Sequence, residues 1–410
     1  MVVQLVLVAS SIDAATKPGC TSALDGCQLN GACTAGACVC DKGWRGADCG
    51  ALNLDPTAHV AYGYTNESKT SSWGGGPPMW DEATSKYQLL VTEIAGHCGM
   101  STWARHSTSV RATSDSIEGP YKKAATVVET ESHNAIYAYS PIDKVHLMYN
   151  IFEGTWPKSC NPPPNCTDGT TPGGQGLHPP SANSGLYPPN SCKGPPGARG
   201  VVSYASSIEG PWTAPRPLVY DPPDGDPEAP PNYGTSNPSP YIFPNGTVLM
   251  LGRGRDAYTA PNGTRILGHN MWLFRADTWN STYNWIPLNG ASGGLNVGDH
   301  CGPNGSSWKG CRPLTEDPVL YRGRRGFHII FHSSPDMTHA WSEDALTWHW
   351  SPTVSGPPNH IAEGGGDNER PRVVLDKNGD LDWFFVGQLL AVKGVGGGQD
   401  AARTAAFRAL

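Results

Sequence analysis

Charged side chains are scarce in this chain of 410 residues, and long apolar runs are missing after its N-terminus. Asp, Glu, Lys and Arg make up 16% of the residues and the net charge is −7, which leaves no basic face for nucleic acid. Past the first residues, no stretch approaches the roughly 18 apolar residues that a membrane-spanning helix needs. We therefore expect neither a nucleic-acid partner nor a membrane span.

Glycine and proline, by contrast, are abundant. The chain contains 50 Gly and 38 Pro, a composition that suits short strands joined by many turns and disfavours helices. The sequence therefore predicts an all-β fold.

The first fifteen residues form a unit of their own. They contain an apolar run from Val2 to Ala9 and small residues at Ala9 and Ser11. This pattern predicts a secretory signal peptide at 1–15, although no Lys or Arg precedes the run. An incomplete start of the chain or a buried N-terminal strand is the alternative.

Cysteines and glycosylation sequons also indicate a secreted or extracellular-surface glycoprotein. The 12 cysteines are an even number, as expected where disulfides form. The sequons lie at Asn66, Asn165, Asn245, Asn262, Asn280 and Asn304. Asn245 and Asn262 each precede Gly-Thr, which predicts turns where a glycan would face water.

Six of the cysteines lie close together within residues 16–50. They are Cys20, Cys27, Cys33, Cys38, Cys40 and Cys49. This spacing, with Gly43 to Gly46 in the final loop, resembles an EGF-like module, and the resemblance implies bridges Cys20–Cys33, Cys27–Cys38 and Cys40–Cys49. Thr16 to Gly19 contain no acid, so we expect no bound calcium. A module of this size depends on its disulfides, and we expect it to act as a spacer or in adhesion.

From residue 59 to residue 410 the chain repeats a pattern of short strands. Ser116 to Tyr121 reads Ser-Ile-Glu-Gly-Pro-Tyr, and Ser207 to Trp212 repeats it with Trp at the end. A Pro- and Gly-rich stretch at 155–200 separates the copies and is interpreted as an insertion. Without it, the period approaches the roughly 40 to 50 residues of a propeller blade.

Five strand openings accompany this period. They are Gly76 to Trp80, His133 to Ile136, Asn237 to Tyr241, Glu316 to Val319 and Glu369 to Val373. Second strands are predicted at Tyr87 to Thr92, Val145 to Tyr149, Thr247 to Gly252, Phe327 to His332 and Leu381 to Gly387.

With these motifs, residues 59–410 resemble a five-bladed β-propeller of the arabinanase, levansucrase and invertase superfamily of glycoside hydrolases. A sialidase-like propeller is the alternative, because Ser342, Asp344 and Trp348 resemble one Asp box. Ring closure would pair the C-terminal Thr404 to Leu410 with residues near Val60 to Tyr64. The expected fold class is all-β, a small disulfide-rich EGF-like module plus a five-bladed β-propeller.

The resemblance implies catalytic carboxylates at the axial ends of the inner strands. In the superfamily three such groups act as base or nucleophile, as stabiliser and as acid, and Asp317, Glu369 and Glu316 occupy matching positions. The first blade offers no matching acid, so the carboxylate set is incomplete. The alternative for Asp317 and Glu369 is a structural ion pair with an arginine such as Arg370.

A second group of polar and aromatic residues is predicted to bind the sugar. They are Trp73, Trp103, Arg105, His133, Asn134, Asn237 and His332. Trp103 can stack on a pyranose ring and Arg105 can donate paired hydrogen bonds. His328 and His332 share one face of a strand and line a polar channel or the ordinary interior. Arg253 is expected in a surface turn or near an anionic sugar.

The remaining cysteines lie in the propeller region of the sequence. Cys98 is expected to form a disulfide with one of Cys160, Cys166 and Cys192, and Cys301 and Cys311 could close their own loop. No spacing of His, Cys or acidic residues is specific enough to predict a metal. We therefore expect no cofactor.

These observations leave two functions open. The first is a secreted carbohydrate-active protein, with a glycoside-hydrolase-like propeller that binds, and given a working carboxylate pair cleaves, a glycan or polysaccharide in its axial pocket. The alternative is a non-catalytic structural or adhesion glycoprotein of the extracellular matrix or cell surface, which takes part in an extracellular protein assembly.

Overall fold

The computed structural model describes residues 19–56, 63–64, 70–95, 100, 103–129, 131–152, 199–221, 236–253, 257–259, 265–267, 271–286, 316–333, 336–354, 368–390 and 401–410. The predicted signal peptide and all but the last two residues of the predicted insertion lie outside these ranges. So do Cys98, Cys160, Cys166, Cys192, Cys301, Cys311 and the sequons at Asn66, Asn165, Asn262 and Asn304.

The N-terminal module is a pair of short hairpins joined by disulfides. Its elements are α1 (Leu24–Cys27), β1 (Gly31–Thr34), β2 (Ala37–Cys40), β3 (Trp44–Arg45) and β4 (Ala51–Leu52). The strands pair antiparallel, β1 with β2 and β3 with β4. The bridges Cys20–Cys33, Cys27–Cys38 and Cys40–Cys49 are all present, so the pairing that the EGF-like resemblance implied is confirmed.

The rest of the chain is a five-bladed β-propeller, as predicted. Blade 1 contains β5 (Ser72–Trp73), β6 (Met79–Asp81), β7 (Lys86–Ile94), α2 (Trp103–His106), β8 (Ser107–Ser114) and β9 (Lys122–Val128). Blade 2 contains β10 (Ser132–Ser140), β11 (Val145–Phe152), β12 (Arg199–Ala205) and β13 (Arg216–Pro217).

Blade 3 contains β14 (Tyr220–Asp221), β15 (Ser236–Ile242), β16 (Val248–Arg253), β19 (Met271–Ala276) and β20 (Tyr283–Ile286), with a separate hairpin of β17 (Ala257–Thr259) and β18 (Arg265–Leu267). Blade 4 contains β21 (Glu316–Arg322), β22 (Phe327–Ser333), β23 (Asp336–Ser342) and β24 (His349–Val354). Blade 5 contains β25 (Asn368–Leu375), β26 (Leu381–Leu390) and β27 (Ala401–Arg408). The five predicted second strands correspond to β7, β11, β16, β22 and β26.

The ring is closed by pairing between the two ends of the propeller. Tyr64 forms a β-bridge with Thr404, and its amide donates to the Thr404 carbonyl over 3.0 Å. A second bridge joins Leu54 to Ala409. The predicted closure is confirmed, and it covers the edge of β27 that would otherwise be exposed.

Apolar side chains fill the wedges between neighbouring blades. In β22 the side chains alternate, so Ile329 and Phe331 pack towards blade 3 with Leu251, whereas Ile330 packs towards blade 5 with Phe384. This two-sided packing fixes β22, and the pairing of β22 with β21 fixes the inner strand of the blade.

The module packs against blades 4 and 5. Trp44 is buried in the cluster that contains Ile330 and Phe384. Arg325 donates two hydrogen bonds to the carboxylate of Asp41, over 2.8 Å and 2.9 Å. The module is therefore held to the propeller by a shared core and a bidentate ion pair, which a simple spacer would not need.

Two of the predicted glycosylation sites lie within the described ranges. Asn245 and Asn280, the two sequon asparagines within the described ranges, are exposed at turns. None of the described helices is long and apolar enough to span a membrane.

Candidate functional site at the propeller axis

All five inner strands carry a left-handed residue near their axial end. The φ angles are 49° at Gly74, 65° at Asn134, 54° at Asn237, 53° at Asp317 and 55° at Arg370. In blades 2 to 5 this residue lies within a bulge where the register of the first two strands shifts. Since non-glycine residues avoid this conformation, the repeated strain marks a special position in each blade.

The side chains at these positions meet on the axis around Asp317. Its Oδ1 accepts hydrogen bonds from Arg370 Nη1 over 2.6 Å, from Asn134 Nδ2 over 3.4 Å and from Asn237 Nδ2. Arg370 also donates to the Asn134 carbonyl over 3.3 Å. Blades 2, 3, 4 and 5 are thus tied together through one carboxylate, and that carboxylate is only 4% exposed.

Blade 1 contributes space instead of a side chain. A Cβ atom on Gly74 would lie 2.6 Å from Arg370 Cδ, so the arginine occupies the volume that a side chain of blade 1 would need. The predicted opening of this blade, Gly76 to Trp80, was placed too late. Its axial end is Ser72 to Gly74, and Met79 to Asp81 pair further along β7.

Two glutamates lie beside the axial cluster and are more accessible. Glu316 opposes His332 in the β21–β22 register and forms an ion pair with Arg253 of blade 3. Glu369 of blade 5 places Oε1 3.8 Å from His332 Nδ1. The Glu316 and Glu369 side chains are 26% and 20% exposed. The two carboxylates therefore flank one histidine at a partly open surface.

The environment of Glu316 raises the pKa of its carboxyl above the usual value of a glutamate. Burial raises the pKa of this carboxyl, and the neighbouring Asp317 carboxylate raises it further, while Arg253 acts in the opposite direction. A carboxyl with a raised pKa next to a second carboxylate is an arrangement that general acid catalysis uses.

His133 and Trp103 line the site from blades 1 and 2. Their rings are 4.8 Å apart, and Trp103 is half-buried. The His133 Nδ1 atom is 2.7 Å from the Ser107 hydroxyl. Burial, with a smaller effect of the Arg370 charge, lowers the pKa of His133 well below its usual value, so this ring is neutral. Ser107 is fully buried and is not placed as a nucleophile.

The structure separates the remaining predicted binding residues. Trp73 is buried against β26, where a Cβ on Gly387 would lie 2.8 Å from its indole. Arg105 lies in α2, but its side chain is outside the described atoms. His328 shares the strand face of His332 but lies at the other end of β22, where its Nδ1 is 3.0 Å from His339 Nε2. Burial lowers the pKa of His328 to about 3.

Arg253 lies at the site, but its partner there was not predicted from the sequence. It was expected at a surface turn or near an anionic sugar, yet it pairs with Glu316 in the next blade. Its place at the end of the second strand, level with His332 in blade 4, is the signal that could have identified it.

Comparisons with known proteins show the fold. No family model matches the chain, and no curated protein matches it. Zg3597, a family 117 glycoside hydrolase of the marine bacterium Zobellia galactanivorans, shares 12% identity over 86% of this chain and 89% of its own, with a TM-score of 0.51. A GH43_1 enzyme from Xanthomonas citri shares 10% identity over 85% of this chain and 90% of its own, with a TM-score of 0.49. The expected resemblance to five-bladed glycoside hydrolases is confirmed at the level of the fold.

Proposed function

We propose that this protein is a carbohydrate-active enzyme that hydrolyses a glycosidic bond at the axial end of blades 4 and 5. The observation that supports the proposal is the pair Glu316 and Glu369, which flanks His332 and is partly open to solvent. The fold, shared with a glycoside hydrolase, agrees with this proposal.

In the proposed reaction Glu316 is the general acid. It gives its proton to the glycosidic oxygen as the bond to the anomeric carbon breaks, and Arg253 orients its carboxyl. Glu369 is the second carboxylate, positioned by His332. If the carboxyl groups are about 5 to 5.5 Å apart, Glu369 attacks the anomeric carbon, and a water deprotonated by Glu316 then displaces Glu369 from it. If they are about 6.5 to 9.5 Å apart, Glu369 deprotonates a water that attacks the anomeric carbon directly.

Asp317 has a structural role in this proposal. A carboxylate that is buried and bonded to Arg370, Asn134 and Asn237 cannot approach a sugar without breaking the axial cluster. Trp103 packs against His133, and in this proposal its half-buried indole covers the face of a pyranose ring.

The test is turnover of a panel of aryl glycosides by the wild type and by two variants. Glu316→Gln should reduce kcat by about 10²-fold or more on poor leaving groups but much less on a nitrophenolate, which needs no proton. Glu369→Gln should lose activity on both. Glu343→Gln, at an exposed turn after β23, is the control.

Full activity of both folded variants on every substrate would refute the carboxylate assignment. Binding on a glycan array without turnover by the wild type would favour the structural or adhesion glycoprotein instead.

Secretion, the EGF-like identity of the module and glycosylation belong to the same proposal. Three disulfides within residues 20–49 support export to an oxidising compartment. Removal of N-glycans from protein made in a eukaryotic secretory host should reduce its mass, and Asn245→Gln and Asn280→Gln should each remove one glycan. Unchanged mass would exclude both sites.

A further inference from the structure

Arg372, on the inner strand of blade 5, is buried with two of its nitrogens unbonded. The side chain is 1% exposed. Its Nη1 donates to the carbonyls of Pro318 over 3.1 Å and Pro371 over 2.6 Å. Nε and Nη2 have no hydrogen-bond partner within the described part of the chain. Buried guanidinium donors are rarely left in this state, because the lost hydration is not replaced.

The charge of Arg372 is also not matched. Arg370 lies beside it and is fully buried too, with its own Nε unbonded in the same described region. Asp317 bonds to Arg370, whereas the bonds from Arg372 in the described ranges go to carbonyl oxygens. Asp317, Glu369 and Glu316 all act on the charge of Arg370, whereas Asp317 is the only described carboxylate that acts on that of Arg372. A guanidinium stays charged inside proteins.

Burial and the neighbouring Arg370 charge both lower the pKa of Arg372, and Asp317 opposes them only in part. A second negative charge next to Arg372 would therefore stabilise the folded state, since an uncompensated buried charge is strongly unfavourable.

Among the described residues of blade 1, the two whose positions lie against the arginines carry no charge. The residues that face the two arginines are glycines: a Cβ on Gly76 would lie 3.5 Å from Arg372 Cβ, and one on Gly74 would lie 2.6 Å from Arg370 Cδ. The arginine side chains fill the volume in front of these two glycines, which offer them no side-chain acceptor.

We propose that a small monovalent inorganic anion of the size of chloride binds at the propeller axis against Nε and Nη2 of Arg372. These two nitrogens lie on one edge of the guanidinium and donate in parallel, which suits a spherical anion or a single oxygen. The anion balances the second arginine and joins blade 5 to the axial cluster. This site is distinct from the glutamate pair and does not depend on the proposed hydrolysis.

Bromide provides a direct test, because it replaces chloride and scatters anomalously. Crystals of the full chain grown in sodium bromide should show an anomalous peak within about 3.5 Å of both Nε and Nη2 of Arg372. The proposal would be overturned if bromide fully occupied other sites in the crystal but gave no peak here. A water molecule at this position would overturn it as well.

Thermal unfolding supplies an independent readout. At constant ionic strength, gluconate is replaced by chloride. The Tm of the wild type should then rise by about 2 °C for each tenfold increase in chloride concentration above the dissociation constant of the site. Arg372→Met should abolish this dependence, whereas Arg408→Met, an exposed arginine of the same blade, should retain it.

Equal Tm values in chloride and gluconate for the wild type would refute an anion site. So would a chloride effect of full size in Arg372→Met. If Arg372→Met does not fold, the wild-type comparison and the bromide map still decide the question.

Discussion

At the scale of single residues, Asp317 decides how the axis is held together. Its replacement by Asn would leave Arg370 fully buried without a carboxylate, and breaking a buried pair from one side typically costs about 3 to 5 kcal/mol. We expect Asp317→Asn to lower the free energy of unfolding by that amount in urea titrations.

The control for this prediction is Asp115→Asn, which breaks an ion pair between Asp115 and Lys86 that is exposed to solvent. Exposed pairs contribute less than about 1 kcal/mol, so this variant should unfold at nearly the wild-type urea concentration. If Asp317→Asn were as stable as the control yet inactive, Asp317 would have to be assigned to the chemistry.

The ion pair between Glu316 and Arg253 leads to a prediction about how activity depends on pH. The proton on Glu316 is required in the proposed reaction, so activity should fall as pH rises through the pKa of this group. Arg253 lowers that pKa, and Arg253→Met should therefore move the basic limb of the kcat/KM profile to higher pH. Arg275→Met, an exposed arginine in β19, should leave the limb in place. A limb that moves to lower pH would contradict the assignment.

The sequence identified several of these residues but not their relations. Glu316, Asp317 and Glu369 follow from the strand openings, because each precedes a proline and an apolar strand. The arginine that holds Asp317 was weighed as the alternative, and Arg370 is that arginine. The difference in exposure between the buried Asp317 and the two more accessible glutamates could not be predicted from the sequence. It arises because residues of three other blades surround Asp317.

At the scale of single elements, the inner strand of blade 1 shows where pattern reading fails. In the other four blades a polar residue marks the axial bulge, but blade 1 has Gly74 to Gly76 there. Glycines carry no alternation of polar and apolar side chains, so the next recognisable strand, β6, was taken as the opening. The five second strands were predicted well because their apolar cores are continuous.

The seam between blades 1 and 5 gives a prediction at this scale. Trp73 packs flat over Gly387, and a Cβ there would come within 2.8 Å of the indole. Gly387→Ala should lower the free energy of unfolding by about 1 to 3 kcal/mol, the usual penalty of overpacking.

A double-mutant cycle separates this clash from a general effect on β26. In a Trp73→Ala background the indole is absent, so Gly387→Ala should cost much less than in the wild type. Equal effects of Gly387→Ala in both backgrounds would show that the contact with Trp73 is not the cause.

At the scale of the whole molecule, ring closure and module docking belong together. Asn53 to Asp55, which follow the module, pair with Arg408 to Leu410 at the end of the chain. Closure through Tyr64 and Thr404 was predicted from topology, since a propeller must cover its last edge. Docking was not, because contacts such as Arg325 with Asp41 join residues far apart in sequence and follow no local pattern.

This arrangement predicts that the module and the propeller unfold as one unit. Trp44 contributes to the same buried cluster as Ile330 and Phe384, so Trp44→Ala should remove about 3 to 5 kcal/mol of stability. Calorimetry should show one transition for the wild type and one transition at lower temperature for Trp44→Ala. Trp350→Ala, at a position that is 38% exposed, should shift the Tm much less.

Because the shared cluster spans both parts, reduction of the three disulfides in residues 20–49 should also lower the Tm of the propeller itself. If the module only extended from the propeller, reduction would leave the Tm of the propeller unchanged. Two calorimetric transitions, with only the smaller one sensitive to reductant and to Trp44→Ala, would show that the parts fold independently and that the contact is peripheral.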